Sequence, residues 1–557
     1  MAALAAGIAA AAGLASSDAK SASPTIRPNV VVLMTDDQTL ESVRVMPNVR
    51  GLIADQGVTF DNNFVSYSLC CPSRATFLTG QYTHNHTVWG NTVPNGGYYK
   101  LDSTNTLPVW LQRAGYQTIH LGKYLNGYGT RNATEVPPGW GEWYGSIDPT
   151  TYRFYNYNLN ENGTVVNYGT GAANYQTDVY ARKAVDIITR QAVDPRPFFL
   201  SVAFLAPHSG GPRDPDDPAN QATPSPAVRH RNYFATQPLP MPPSFNELDV
   251  SDKPAGIRNR PPLTNARIAA IRENYQQRLE SLLAVDDAVG MIVNQLAAIG
   301  ELDKTYILFT SDNGFFHGEH RVPSGKVLLY EPSIRVPLIL RGPGIPAGKH
   351  RSQFVSNIDL ARTIVAATGA QPTRVLDGRS LLAFAKNPIL HSGRDLLLET
   401  PTYSAIRTPN WLYAEHVTGE RELYNLARDR YQLTSLHADL NLSRTRADLA
   451  ARLARLRGCA GPVCRQGPRL SLRSRSQGGR TCRRSRFLVG VGGPAARRIS
   501  QTAFYLDGRR LKRDTRAPFN VVVPRRIARP GGSALEALVT LTDSRRLTVS
   551  RRIAGCA

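Results

Sequence analysis

The chain has 557 residues, 41% of them hydrophobic, with 66 Lys and Arg against 43 Asp and Glu for a formal net charge of +23. Ordinary apolar content and only 6 Cys exclude a disordered chain, a collagen and a disulfide-dense miniprotein, and at ~100–200 residues per domain the length implies more than one folded unit. The charge points first to a nucleic-acid partner, but Cys459 to Ala557 hold 22 bases and 4 acids while the first 458 residues hold 44 bases against 39 acids, so the excess belongs to the tail and no specific nucleic-acid partner is expected.

Residues 1–22 are Ala-rich and apolar, then small and polar, with Ala-x-Ala-like spacing at Leu14–Ser16 and Ser21–Ser23. That pattern predicts a signal peptide and a secreted or extracytoplasmic protein. No apolar run reaches the ~20 residues that span a bilayer, so a membrane-spanning chain is not expected. Four runs read as buried strands: Asn29–Thr35, Tyr116–Leu121, Pro197–Leu205 and Thr305–Thr310. Helical patterns lie between them, clearest over Ala266–Ile299, and this alternation predicts an α/β fold. Residues Gly210–Pro262 are Pro-rich with little periodicity, a loop length that commonly lines a functional site.

From about Arg394 the pattern changes. Leu396–Leu398, Tyr403–Ile406 and Trp411–His416 read as short antiparallel strands, followed by a helix over Arg446–Leu456. After Gly467, apolar and polar residues alternate in short runs at Arg469–Arg473, Phe487–Val491, Thr502–Leu506, Phe519–Val523, Ala537–Leu541 and Leu547–Ile553. Turn residues at Asp507-Gly508 and Pro530-Gly531-Gly532 separate them, which predicts a small β-sandwich. Cys459 and Cys464 flank a Gly-Pro turn, and Cys482 and Cys556 bracket the basic tail; the even set suits two disulfides in an oxidising compartment. The expected units are residues 27–390 as an α/β domain, 391–466 as a small antiparallel subdomain and 467–557 as a basic all-β domain.

In open α/β sheets, ligands bind at the carboxyl ends of the strands. The four predicted strands run into Asp36-Asp37, Gly122-Lys123, Pro207-His208 and Asp312-Asn313. One such doublet is ordinary turn chemistry. All four on one rim bring three carboxylates and an amide together, a hard, oxygen-rich set that suits Ca²⁺, or Mg²⁺ as the other hard cation.

The sharpest motif is Leu69-Cys70-Cys71-Pro72-Ser73-Arg74, followed by Leu78-Thr79-Gly80. It resembles the signature of the type I sulfatases, members of the alkaline phosphatase superfamily. The resemblance extends to Thr35-Asp36-Asp37-Gln38, to Thr310-Ser311-Asp312-Asn313-Gly314, and to Gly325-Lys326 with Tyr330-Glu331 and Arg335-Val336-Pro337-Leu338. Within that family His84-Asn85-His86, Gly122-Lys123-Tyr124-Leu125-Asn126 and Cys459-Ala460-Gly461-Pro462-Val463-Cys464 look most like the N-acetylglucosamine-6-sulfatases. The resemblance implies a central mixed sheet flanked by helices. It implies that Cys70 is converted by a formylglycine-generating enzyme to formylglycine, whose hydrate is the nucleophile, and that Asp36, Asp37, Cys70, Asp312 and Asn313 hold the metal. Arg74, Lys123 and Lys326 would clamp the sulfate, and His208 would protonate the leaving oxygen. Leu125 stands where the wider family has a His, so Asn126 or another group makes that contact. Asn126 and His320 are expected at the sugar, while His317, His84 and His86 are weaker candidates; Tyr98-Tyr99 and Tyr152, Phe154 and Tyr155 could stack on sugar rings.

The expected activity is hydrolysis of sulfate monoesters on 6-sulfated N-acetylglucosamine, related sulfated glycans or small aryl or sugar sulfates. The alternatives are a phosphodiesterase or phosphonate monoester hydrolase of the same superfamily, and a non-catalytic sulfated-glycan-binding protein. The basic tail is expected to contact a polyanion or cell wall, as a part separable from turnover.

Overall fold

The computed structural model describes residues 27–475, 487–523 and 532–553. Residues 1–22, expected as a signal peptide, and Cys482 and Cys556 lie outside the described residues.

A ten-stranded mixed sheet forms the centre. Its strands are β1 (Asn29–Thr35), β2 (Val58–Phe64), β3 (Gln117–Gly122), β4 (Glu142–Ser146), β5 (Tyr157–Glu161), β6 (Thr164–Tyr168), β7 (Phe198–Ala203), β8 (Thr305–Ser311), β9 (Leu338–Arg341) and β10 (Lys349–Ser356). They lie in the order β10-β2-β9-β8-β1-β7-β3-β4-β5-β6. The four strands read from the sequence are adjacent and parallel, as β8-β1-β7-β3. Their apolar runs are continuous because both faces are covered. Val31 and Leu33 of β1 enter one core with Ile307 and Phe309 of β8, under the helices Gln176–Gln191 and Asn265–Ala298. Val30, Val32 and Met34 point the other way, into a core shared with Ala75, Trp110 and Leu360 of the helices Cys70–Thr79, Leu107–Arg113 and Ile358–Thr368. The Asn265–Ala298 helix is apolar and long enough to cross a bilayer by composition, but its Ile271, Leu282, Val289 and Val293 are buried in the first of these cores.

The C-terminal subdomain is an antiparallel meander of β11 (Leu396–Glu399), β12 (Tyr403–Arg407), β13 (Trp411–His416) and β14 (Arg421–Asn425). One face carries Leu397, Ile406, Tyr413 and Leu423 against Leu449 and Leu453 of the helix Ser443–Arg457 and against the Cys459–Cys464 disulfide. The other face, with Leu398, Tyr403 and Tyr424, packs on Phe64 and Tyr330 of the catalytic domain.

Beyond it, β15 (Ser471–Arg475), β16 (Phe487–Gly492), β17 (Ile499–Leu506), β18 (Arg509–Asp514), β19 (Asn520–Val523), β20 (Ser533–Leu541) and β21 (Arg546–Ile553) form two sheets, β15-β16-β19 and β18-β17-β20-β21. Val489, Phe504, Val521, Leu535 and Val539 are buried in their common core. Asp507 and Gly508, both at positive φ, make the two-residue hairpin joining β17 to β18. This sandwich is docked on the subdomain. Thr548 N donates to His391 O at 2.9 Å. Arg545 Nη1 reaches Asp395 at 3.3 Å, and Arg452 Nη1 lies 3.5 Å from Asp543.

Candidate active site

The carboxyl ends of β1, β3, β7 and β8 converge on one buried cluster. β1 delivers Asp36 and, through a left-handed residue at φ +66, Asp37; short polar side chains tolerate that conformation better than most. β8 delivers Asp312 and Asn313, and β3 delivers Lys123. The helix Cys70–Thr79 starts after Leu69 in extended conformation, with Pro72 in its first turn and left-handed Gly80 at its C-cap. Cys70 and Arg74 are four residues apart on this helix and therefore share a face. Cys70 Sγ donates to Asp36 Oδ1 at 3.4 Å, and Arg74 Nε donates to Asp312 Oδ2 at 2.7 Å. That shared face is the physical content of the Cys-x-x-x-Arg spacing.

Three cations meet the carboxylates. Lys123 Nζ bonds Asp36 Oδ2, and Lys326 Nζ bonds Asp37 Oδ1. Lys326 Nζ also lies 2.7 Å from Cys70 Sγ, and Arg74 Nη2 is 3.6 Å from Asp36. Burial alone would raise the Asp36 carboxyl, but Lys123 first, then His208, Lys326 and Arg74, hold it well below the usual carboxylate range. Burial, followed by the charge of Asp36, pushes the Asp312 carboxyl up to about 6 against the pull of Arg74. Burial and then the Asp36 charge push the Cys70 thiol up to about 12. At neutral pH that sulfur is a protonated donor, not a thiolate nucleophile.

The oxygens fit a hard cation. Ligand atoms of Asp36, Asp37, Cys70 and His208 lie within 4.8 Å of one another. Asn313 Nδ2 donates to Asp37 Oδ1 at 2.6 Å, while its Oδ1 is buried without a hydrogen-bond partner among the described residues. An unpartnered amide oxygen beside buried carboxylates is costly unless something positive occupies the gap. Asp312 is more committed, its oxygens accepting from Arg74 Nε and from Asp37 N at 3.2 Å.

On the opposite side, His208 Nε2 lies 3.7 Å from Asp37 Oδ2. Its Nδ1 donates to Ser209 O at 2.7 Å, which fixes the ring. Burial lowers the pKa of His208, with Asp36 and Asp37 opposing. Tyr152 ties this side together: Lys123 Nζ sits 4.7 Å from its ring centroid. The His208 ring packs at 5.1 Å, and Asn126 Nδ2 donates to its hydroxyl at 2.5 Å. Tyr152→Leu removes the ring from under the ammonium and is expected to lower kcat/KM about tenfold, as a cation–π contact of ~1–2 kcal/mol implies. Tyr152→Phe should keep most of the activity. Steady-state kinetics on the pair checks this.

The cluster gathers Asp36, Asp37, Cys70, Arg74, Lys123, His208, Asp312, Asn313 and Lys326, with Asn126 joined through Tyr152. Leu125 is buried in the apolar core. His320 is placed elsewhere: it is 1% exposed, its Nδ1 is 2.6 Å from Glu247 and its ring is 4.1 Å from that of Tyr330. His84 bridges Glu399 and Cys459 O, pinning the disulfide loop, and His86 bonds Thr76. One contributor escaped sequence reasoning. Arg278, mid-helix in Asn265–Ala298, donates to Asp37 O and lies 3.9 Å from the Phe315 ring centroid. Its only sequence signal is a cation on an otherwise buried helix face.

A parallel-centred α/β sheet with a buried rim of carboxylates, lysines and an arginine at its strand ends suits a divalent cation together with an anionic group. The family model "Sulfatase" matches residues 28–370, and "N-sulphoglucosamine sulphohydrolase, C-terminal" matches residues 318–458. Human N-acetylglucosamine-6-sulfatase is 34% identical over 497 residues, covering 80% of this chain and 87% of the human protein. The chain belongs to the sulfatase family and is a sulfuric ester hydrolase. Among solved structures, a protein in complex with its substrate D-glucosamine-2-N,6-O-disulfate superposes with a TM-score of 0.63 at 24% identity, over 77% of this chain and 97% of that one. The phosphonate monoester hydrolase of Agrobacterium radiobacter superposes with a TM-score of 0.56 at 24% identity, over 77% and 95%. At such identities the likeness establishes the fold alone, and the fold accommodates both chemistries.

Proposed function

We propose that this chain is a secreted sulfatase that removes 6-O-sulfate from N-acetylglucosamine or related units of sulfated glycans, using formylglycine at position 70 and a divalent metal. The observation that carries the chemistry is Cys70 on one helix face with Arg74, buried against Asp36 and Lys326 as a thiol too basic to ionise. Such a thiol is a poor nucleophile, whereas the hydrate of an aldehyde at the same carbon offers two hydroxyls. The substrate class rests on the 34% identity to human N-acetylglucosamine-6-sulfatase. Secretion rests on the Ala-rich residues 1–22 and the Cys459–Cys464 disulfide. A formylglycine-generating enzyme is the implied maturation partner, and the basic sandwich is the implied contact for polyanions.

Asp36, Asp37, Asn313 and Asp312 would hold Ca²⁺, or Mg²⁺, which when bound supplies a Lewis acid for the sulfate oxygens. The rest falls to side chains of the chain itself. Lys123, Lys326 and Arg74 place three fixed positive charges where the sulfate oxygens gain charge. One hydroxyl of the hydrate gives its proton to Asp312 and attacks sulfur, the bond from sulfur to the ester oxygen breaks, and that oxygen takes the Nε2 proton of His208 in its imidazolium form, which the charges of Asp36 and Asp37 favour. The second hydroxyl then gives its proton to the now neutral His208, re-forms the carbonyl and expels sulfate; the carboxylate's proton leaves to solvent and water adds back to the aldehyde.

Mass analysis of the peptide spanning position 70, with assay on N-acetylglucosamine 6-sulfate, tests the proposal. Aldehyde in place of thiol together with turnover is expected, and an unmodified thiol in active protein would overturn it. His208→Gln is expected to slow a sugar sulfate about 10²–10³-fold and an activated aryl sulfate far less, since a good leaving group needs no proton. Equal losses on both substrates would remove His208 from that role. Dialysis against a chelator should abolish turnover and Ca²⁺ should restore it, while Asn313→Ala should weaken Ca²⁺ binding in calorimetry about tenfold or more.

A further inference from the structure

Where the helix Ser443–Arg457 ends against the β-sandwich there is a cleft of 530 Å³. No residue of the Cys70 cluster lines it. Its walls carry five guanidinium groups, from Arg452, Arg455, Arg469, Arg498 and Arg545, and one carboxylate, from Asp395.

Three of the five arginines are held by acids. Arg452 pairs with Asp395 and Asp448, Arg545 pairs with Asp395 and Asp543, and Arg498 Nη2 lies 2.7 Å from Asp543. Arg545–Asp395 at 3.3 Å, Arg452–Asp543 at 3.5 Å and Arg498–Asp448 at 3.7 Å cross the junction between subdomain and sandwich and hold the two walls together. Arg455 and Arg469 differ: both are exposed, and among the described residues no carboxylate forms a salt bridge with either. Arg455 follows Arg452 by three residues on the same helix, which puts both on one side of the cleft. Arg469 is held by the main chain, its carbonyl accepting from Ala495 N at 3.4 Å. Five cations thus stand against three acids, Asp395, Asp448 and Asp543, which leaves two positive charges in excess.

Guanidinium forks recognise sulfate and carboxylate through paired N–H bonds, and here two without a salt-bridge partner stand at the mouth of a cleft whose walls are held together by ion pairs. We propose that this cleft is an accessory site for the sulfate or carboxylate groups of a glycan chain, engaged by Arg455 and Arg469 away from the Cys70 centre. This deepens the sulfated-glycan reading and rests on it for the identity of the chain.

The test is calorimetric binding of a heparin octasaccharide to the full-length Cys70→Ala protein at two salt concentrations. Turnover plays no part in that measurement, so failure of the sulfatase reading and failure of this one are seen separately. Arg455→Ser/Arg469→Ser is expected to weaken binding about tenfold or more and to flatten its salt dependence. The unfolding midpoint should be unchanged, because neither side chain belongs to the buried pairs. An affinity within about twofold of the parent overturns the site, as does equal weakening by Arg509→Ser/Arg513→Ser on the outer strand β18, which would signify diffuse charge. Inorganic sulfate at matched ionic strength is the second arm. If it displaces the octasaccharide as well as an equal concentration of competing octasaccharide does, the cleft holds the released ion and the glycan assignment fails.

Discussion

Cys70→Ser is expected to react with one equivalent of sulfate ester and stop. The serine hydroxyl would stand on the same helix face as Arg74, beside Asp36 and Lys326, so the groups that stabilise attack on sulfur stay in place. What it lacks is the second hydroxyl on the same carbon. A serine sulfate therefore has no internal route to expel sulfate, and water must attack a buried, negatively charged ester instead. Rapid-mixing kinetics should show a burst of at most one equivalent, and mass analysis should find a sulfated peptide. Cys70→Ala, with no nucleophile, should show no burst. Both should lose steady-state turnover by about 10⁴-fold or more, the scale seen when a covalent nucleophile is removed. Steady multiple turnover by the serine protein would exclude collapse of a hydrated aldehyde as the release step.

Much of this centre was legible because it obeys simple spacing rules. The strands β1 and β8 are apolar without interruption since both faces are covered, and their chemistry begins at the residue where pairing ends, at Asp36 and Asp312. Cys70 and Arg74 are one helical turn apart. The parts that could not be read have physical reasons. Strand β18 reads Arg-Arg-Leu-Lys-Arg-Asp and offers no apolar alternation, because it is an edge strand kept charged on its exposed side. Strand β14 spans five residues with two charges, too short for periodicity to register. Arg278 reaches Asp37 from a helix 241 residues away in sequence. His320 carries the same Gly-Glu-His signal that a surface ligand would, yet it is spent on Glu247, whose other oxygen is held by Lys253. The docking of the sandwich was equally hidden. A basic tail reads as a separable module, but Arg545 and Asp543 reach across to Asp395 and Arg452, so removing residues 467–557 would also expose charges that are now shielded.

The largest loss of stability is expected from Asp359→Ala, behind the catalytic helix. Asp359 is fully buried at the start of the helix Ile358–Thr368. Its Oδ1 accepts from Arg379 N at 2.8 Å and Arg394 Nη1 at 2.9 Å. Its Oδ2 accepts from Ser356 N at 3.0 Å and from Arg394 Nη2. Alanine would leave the Arg394 guanidinium, itself only 1% exposed, without its counter-charge. A second guanidinium stands close by: burial first, then the charge of Arg394, brings Arg379 down to about 9. Breaking a buried pair by removing one partner costs about 3–5 kcal/mol, because the remaining charge keeps its desolvation penalty and loses its compensation. A urea titration should show that loss as a lower midpoint at unchanged slope. Replacing both partners, as Asp359→Leu/Arg394→Met, should recover much of it, since no buried charge is then stranded. The effect should reach the centre through packing. A Cβ at Gly80, the cap of the Cys70 helix, would lie 3.2 Å from Ala361 of the Asp359 helix. The neighbouring Asn357 donates to Ser73 Oγ at 3.0 Å. Loosening the Asp359 helix therefore loosens the back of the helix that positions Cys70 and Arg74. The Ala variant should lose kcat on warming well before the parent does, whereas the double replacement should lose less of both, the remaining deficit coming from the Ser356 and Arg379 N–H groups left without their acceptor. If Asp359→Ala unfolded at the parent's midpoint, the pair would carry no net stability and this coupling would be absent.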